Sequence, residues 1–315
     1  MSILTIELER YLAIRRSLGF ELDTSARVLR RFVAFAERQG AEHVTSNLFV
    51  HWMTEFGTAK PPTWSARLGM VRVFAQWLNG LDPRHEVPPS ALIPARHRRS
   101  QPHIYSEEEV ARIIDAAGRL PSPNGIRALT YRTLFGLIAV TGLRISEALA
   151  LNNTDMDWEQ GVLNIRCGKS GKQRLAPVSA STAEWLAAYA AERDRLLGHR
   201  PESLFADEDG NRPGDCAARY NFASVCQSIG LRPPQRFLRH GRGPRIHDLR
   251  HTFAVRTLLG WYRSGMDPER EMLKLSNYLG HASPSHTYWY IEAVPELLEL
   301  AMQRASRSLA QEGSP

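Results

Sequence analysis

Pro83, Pro88, Pro89 and Pro94 fall within residues 81–104 and forbid a continuous helix there. Helically patterned sequence runs up to this stretch and resumes beyond it, so the chain divides in two. We place a first domain at 1–90, a linker at 91–103 and a second domain at 104–315. A chain of 315 residues is long for one compact domain and comfortable for two. The linker carries Arg96, Arg98 and Arg99, which read either as a solvated loop or as contacts to a polyanion.

The first part reads as four short helices. Leu4, Leu8, Tyr11, Leu12 and Leu18 keep helical spacing up to Gly19. Asp23, Thr24 and Ser25 offer a cap before Val28, Phe32 and Phe35, and that stripe stops near Gly40. Thr45 and Ser46 precede Phe49, Trp52 and Met53. Thr63 opens a fourth stretch through Trp64, Leu68, Val71, Phe74 and Trp77, which closes at Gly80. These aromatic stripes read as core, giving a small all-α domain.

The second part opens on S-E-E-E, where Ser106 and Glu109 form a capping box. A long apolar helix covers 127–140 and ends at Gly142. Residues 162–166 and 174–178 read as two strands joined by the turn G-K-S-G-K. Helical sequence returns at Ser181, and a final helix spans 295–310. The expected fold is mainly α with a small β-hairpin.

A net charge of +7 suits a polyanionic partner, because phosphate contacts release condensed counterions. Cys167, Cys216 and Cys226 include no C-x-x-C pair, so neither a zinc site nor a disulfide framework is expected, and we read them as buried small apolar residues. Charges come too early for a signal peptide, and no apolar run reaches the roughly 18 residues of a membrane span. A cytoplasmic protein with no membrane partner is the expectation.

No phosphate loop of the G-x-x-x-x-G-K-S/T type and no paired metal-ligand motif is present, so no cofactor and no metal are expected. Phosphate chemistry would then need positive side chains, and four segments supply them. T-G-L-R-I-S-E at 141–147 places Arg144 just past a helix stop. The turn carries Lys169 and Lys172. I-H-D-L-R-H at 246–251 puts His247 and Arg250 three apart on one helical face, with His251 on the adjacent edge. It follows the basic loop with Arg236, Arg239, Arg242 and Arg245. L-G-H at 279–281 is followed by Tyr288 and Tyr290. Each segment alone has an ordinary structural reading.

Together, in this order and spacing, they resemble the boxes of the tyrosine recombinase family. That family shows an Arg in T-G-x-R-x-x-E, a Lys in a hairpin after G-K, then H-x-x-R, L-G-H, and a Tyr nine residues past that His. The matching positions are Arg144 and Glu147, Lys169, His247 and Arg250, His281, and Tyr290. The resemblance covers about 103–295. The helical first part is similar, less specifically, to the family's SAM-like core-binding domain.

The resemblance implies a DNA strand transferase that needs neither metal nor ATP, with double-stranded DNA as partner and a homo-tetramer on paired sites. Tyr290 would attack the scissile phosphate and form a 3′-phosphotyrosine. Arg144 and Arg250 would clamp its oxygens, and Lys169 would protonate the leaving 5′-oxygen. His247 would assist proton transfer, His281 would bond a phosphate oxygen, and Glu147 would orient its neighbours. Lys172 and Tyr288 are off the family spacing. Arg96, Arg98, Arg99, Arg236, Arg239, Arg242 and Arg245 are candidate DNA contacts. Integration, excision or transposition of a mobile element is the expected job. A type IB-like topoisomerase and a non-catalytic DNA-binding relative are the alternatives, and a metal-dependent nuclease is disfavoured by the lack of a carboxylate cluster. The terminal helix, with Leu297, Leu298, Leu300, Ala301 and Met302, resembles the family's tail, which docks into a neighbouring protomer.

Overall fold

A computed structural model describes residues 2–55, 59–94, 101–166, 173–234, 243–281 and 283–312, the side chains of 293, 305 and 307–312 excepted. Two compact units result, Met1–Ser100 and Gln101–Pro315.

The first unit holds α1 (Ile3–Ser17), α2 (Asp23–Arg38), α3 (Ser46–Glu55) and α4 (Pro61–Asn79). Their stripes meet in one core of Leu8, Leu12, Phe32, Phe35, Phe49, Trp52, Trp64, Val71 and Phe74. Thr45 caps α3, its Oγ1 accepting from Leu48 N at 3.1 Å. Two expected starts differ. The α2 helix begins at Asp23 after Leu22, with no side-chain cap bond, so Asp23 instead places its charge in the first turn, where the helix dipole favours it. The α4 helix begins at Pro61 rather than Thr63, because proline at the first helical position needs no N–H partner.

The second unit begins with α5 (Glu107–Ala117), where Ser106 and Glu109 make the expected capping box. It continues through α6 (Ile126–Thr141), α7 (Ile145–Ala150) and a three-stranded antiparallel sheet in the order β1 (Met156–Asp157), β2 (Val162–Ile165), β3 (Arg174–Pro177). Val162 pairs with Pro177 and Ile165 with Arg174, so the two expected strands pair antiparallel. The two-residue strand β1 was not expected from the sequence. Then come α8 (Ala180–Leu197), α9 (Asp215–Ser228), α10 (Ile246–Arg263), α11 (Pro268–Leu279), α12 (Ser285–Ala293) and α13 (Pro295–Glu312).

Helix α6 runs through the middle of the unit's main core, with Leu134, Phe135, Leu137 and Ile138 fully buried against Leu163, Leu186, Phe205 and Phe222. A second core joins α10 to α13, around Ala254, Leu258, Leu275, Leu279, Tyr290 and Leu297. The mainly helical fold with a small sheet is the one expected. Cys226 is buried as expected, but Cys216 is exposed near the start of α9. Among the described residues no helix is long and apolar enough to cross a membrane.

Candidate active site

Two helix ends build the site. Helix α6 stops at Gly142, which takes φ +63°. A Cβ there would lie 2.5 Å from Cδ1 of Phe253, so the α6 end and α10 approach at a distance only glycine permits. Helix α11 stops at Gly280, also at φ +63°. The last carbonyls of a helix lack intrahelical partners and carry its negative dipole end. Arginines take them here. Arg250 donates from Nη1 to Gly142 O at 2.7 Å and from Nη2 to Leu279 O at 2.6 Å. Arg144 donates from Nη1 to Leu279 O at 3.3 Å and from Nη2 to Gly280 O at 2.8 Å. One carbonyl, that of Leu279, is thus shared by both guanidiniums.

Glu147 seals the pair from beneath. It is 1% exposed on α7. Its Oε2 accepts from the Arg144 backbone N at 2.9 Å, and its Oε1 from Arg144 Nη1 at 2.6 Å. Arg174 grips the same carboxylate with both arms, at 3.0 and 2.7 Å. Arg250 Nη1 stands 4.0 Å away. Burial alone would raise the Glu147 pKa. The Arg174 and Arg144 contacts outweigh it and hold the carboxyl below its ordinary range. One carboxylate among three guanidiniums leaves a surplus of positive charge for an oxyanion.

Arg174 was missed by the sequence reading. It is the first residue of β3 and lies on the same face as buried Ala176, while Leu175 and Pro177 are exposed. A strand alternates faces, so a charged residue in register with a buried alanine signals an inward partner. Its Nε also donates to Tyr278 O at 2.7 Å, fastening the hairpin to α11.

Helix α10 supplies three further groups. Arg250 is 1% exposed. Burial, with the nearby Arg144 charge, lowers its pKa to about 10, which still leaves it charged at neutral pH. His247 is pushed down to about 4, first by burial and then by the charge of Arg250, so its imidazole is neutral. His251 lies one turn on from His247, and the two rings meet edge to face at 4.7 Å.

His281 follows Gly280. Its Nδ1 lies 2.7 Å from Oγ1 of Thr287, a fully buried residue of α12, and its backbone N donates to Ser276 O at 3.0 Å. These bonds fix the ring, which stacks toward Tyr290 at 6.4 Å and 27°. Tyr290 is 2% exposed, and its hydroxyl lies 2.9 Å from His251 Nδ1. Tyr288 is 43% exposed.

The structure therefore gathers Arg144, Glu147, His247, Arg250, His281 and Tyr290 into one region, and adds Arg174 and His251. Arg245 is exposed at the start of α10 and pairs with Asp248 at 2.9 Å. Lys169, Lys172, Arg96, Arg98, Arg99, Arg236, Arg239 and Arg242 lie outside the described residues.

Among the described residues one trio, His43, Asp82 and His85, brings potential metal-ligating atoms within 4.8 Å of one another. It lies in the first unit and its atoms are engaged. His85 Nδ1 accepts from Val44 N at 3.0 Å, which leaves its proton on the other nitrogen. Asp82 holds Arg84 at 2.8 Å and His43 at 3.3 Å. The trio ties the turn after α4 to the start of α3.

Comparison with known proteins gives a consistent picture. The sequence profile of the phage integrase family matches residues 104–296. A putative integrase/recombinase of Sinorhizobium fredii, y4rB, is 40% identical over 312 residues, covering 98% of each chain. The XerH site-specific recombinase bound to palindromic difH substrate superposes with a TM-score of 0.65 at 20% identity, over 89% of this chain and 78% of that one. A lambda integrase in a tetramer bound to a Holliday junction superposes with a TM-score of 0.60 at 18% identity, over 89% and 78%. At these identities the structural likeness is one of fold.

Proposed function

This chain belongs to the phage integrase family of tyrosine recombinases, DNA strand-transferring enzymes, and from that premise we propose that Tyr290 is its nucleophile and that it acts through a 3′-phosphotyrosine intermediate. The observation that carries this reading is the sharing of Leu279 O by Arg144 and Arg250, two residues before His281, whose ring stacks toward Tyr290. Two fixed guanidiniums gathered in one region with a buried phenol suit a phosphate whose non-bridging oxygens gain charge during in-line attack.

Arg144 and Arg250 clamp those oxygens, where other phosphoryl-transfer enzymes use metal ions. His281, its ring fixed by the Nδ1 contact to Thr287, hydrogen-bonds a phosphate oxygen. His247 assists proton movement as a neutral imidazole. Lys169, which falls between the two hairpin strands in the sequence, protonates the departing 5′-oxygen. Energy stored in the phosphotyrosine drives rejoining, so the cycle needs no ATP. Both units contact duplex phosphates, and the basic residues Arg96, Arg98, Arg99, Arg236, Arg239, Arg242 and Arg245 are the candidates. A tetramer on two DNA sites is the assembly, in line with the lambda integrase tetramer of the same fold. Integration, excision or transposition of a mobile element is the job, a reading supported by the integrase/recombinase name of an end-to-end relative.

The test uses a pool of nicked random-sequence duplexes incubated in EDTA with wild type or Tyr290→Phe, followed by denaturing gels. The expected result is a covalent adduct with wild type and none with the variant. An adduct that persisted in Tyr290→Phe would move the nucleophile to Tyr288 or elsewhere. Loss of the wild-type adduct in EDTA alone would end the metal-free reading.

A further inference from the structure

The hydroxyl of Tyr290 meets a histidine that the family boxes leave unassigned. It lies 2.9 Å from Nδ1 of His251, the residue after Arg250, with ring centroids 5.5 Å apart at 63°. Two further rings contact His251. His247 meets it edge to face at 4.7 Å, and Trp289 at 5.7 Å.

Tyr290 is packed among Ala254, Leu258, Leu275 and Leu297 and is almost without solvent access. A phenol ionises near pH 10 in water, so attack at neutral pH calls for an acceptor within hydrogen-bond reach. We propose that His251 takes the proton of Tyr290 as its oxygen attacks phosphorus and returns it in the rejoining step. The assignment rests on the reading of Tyr290 as nucleophile.

The Tyr290 Oη–P bond forms and the P–O5′ bond breaks. The phenol proton moves to His251 Nδ1, and the 5′-oxygen gains a proton from the general acid assigned to Lys169. In rejoining, the 5′-hydroxyl returns its proton, and the His251 imidazolium protonates the departing phenolate. This requires the His251 tautomer with its proton on Nε2, so that Nδ1 presents a lone pair. The geometry favours His251 over His247, because the hydrogen bond to the hydroxyl comes from His251. A neutral His247 also places no added positive charge against the imidazolium that forms.

The test compares wild type with His251→Asn, whose side-chain oxygen can accept a hydrogen bond but cannot take a proton. Each is also made with Tyr290 replaced by a fluorinated tyrosine whose phenol ionises near neutral pH. The probe is the nicked duplex recovered from a random-sequence pool by covalent capture with wild type. Single-turnover adduct formation is measured, with footprinting and thermal melting as checks on binding and folding.

His251→Asn should slow adduct formation about a hundredfold or more, the low end of what general acid–base catalysis contributes, with the footprint retained. The fluorinated tyrosine should restore at least about tenfold of that loss and change the wild-type rate little. An undiminished or faster rate in His251→Asn would make the contact a resting one and overturn the proposal. So would a slow rate that the acidified phenol does not rescue, which marks a structural role. His251→Gln serves the same comparison if the asparagine variant does not fold. Failure of wild type to capture any duplex would bring down the recombinase reading first, and the His251 assignment with it.

Discussion

Among single residues, Glu147 ties three arginines together. Arg144, Arg174 and Arg250 all approach one buried carboxylate, so its charge sets the geometry of all three. Glu147→Gln keeps the shape and removes the charge, leaving guanidiniums uncompensated. We expect a stability loss of about 3–5 kcal/mol in urea unfolding, the usual cost of breaking a buried pair from one side. The sign of the pH effect follows from the lowered pKa. The carboxylate's contribution is complete above the ordinary value of 4.5 and disappears as pH falls through the lowered folded value. The gap between wild type and variant should therefore narrow below about pH 4.5, and a gap that stayed constant would mean the charge is not what matters. The family spacing made Glu147, Arg144, His247, Arg250, His281 and Tyr290 legible in the sequence. Arg174 and His251 were not, for different reasons. Arg174 needed the strand's alternation to be read for charge as well as for apolar residues. His251 was visible on the edge of α10, but only the path of α12 brings Tyr290 to it.

At the scale of elements, the site depends on where α6 and α11 stop, because their end carbonyls hold the two arginines. Gly142→Ala would force a left-handed backbone on a residue with a Cβ and drive that carbon into Phe253. Strain and overpacking together should cost about 2–4 kcal/mol, and adduct formation should fall further as the carbonyl bonded to Arg250 shifts. Gly69 is the control. It lies inside α4, and a methyl group there would meet nothing within 4 Å, so Gly69→Ala should stabilise the protein by about 0.5–1 kcal/mol. Chemical unfolding of both variants checks the pair, and equal effects would remove the distinction between a packed and an open glycine. Element positions were largely readable because local signals agree with tertiary ones. The hairpin strands, the Ser106 capping box and the stop at Gly142 all carry their own chemistry in a few residues. The starts of α2 and α4 carried competing signals, a polar triplet at 23–25 and a threonine at 63. In α2 the first turn forms without a side-chain cap, and in α4 proline at the first position takes over. Strand β1 is two residues long, too short for alternation to register.

For the whole molecule, the proposed tetramer needs a surface on which one protomer meets the next, and α13 offers one. Its inner side is committed to its own unit. Leu297 is fully buried in the α10–α13 core, and Arg304 binds Met266 O at 2.9 Å and Asp267 at 3.0 Å. Its outer side carries Leu298 and Met302, 45% and 65% exposed, four apart along the helix and flanked by Pro295. Residues at that spacing share a face, so they form one apolar strip. Covering each side chain is worth about 1.5–3 kcal/mol, and each 1.4 kcal/mol is a factor of ten in association. If the proposed tetramer closes over this strip, the double variant Leu298→Asp, Met302→Asp should weaken assembly on paired sites at least about tenfold. Sedimentation of protein mixed with duplexes captured by wild type measures it. Because both side chains already face solvent, the free protein's unfolding should change by no more than about 0.5 kcal/mol, and adduct formation on a single nicked duplex should persist. Assembly unchanged from wild type would place the protomer seam elsewhere. Loss of the single-site adduct as well would show that the strip supports the Tyr290 helix rather than a neighbour.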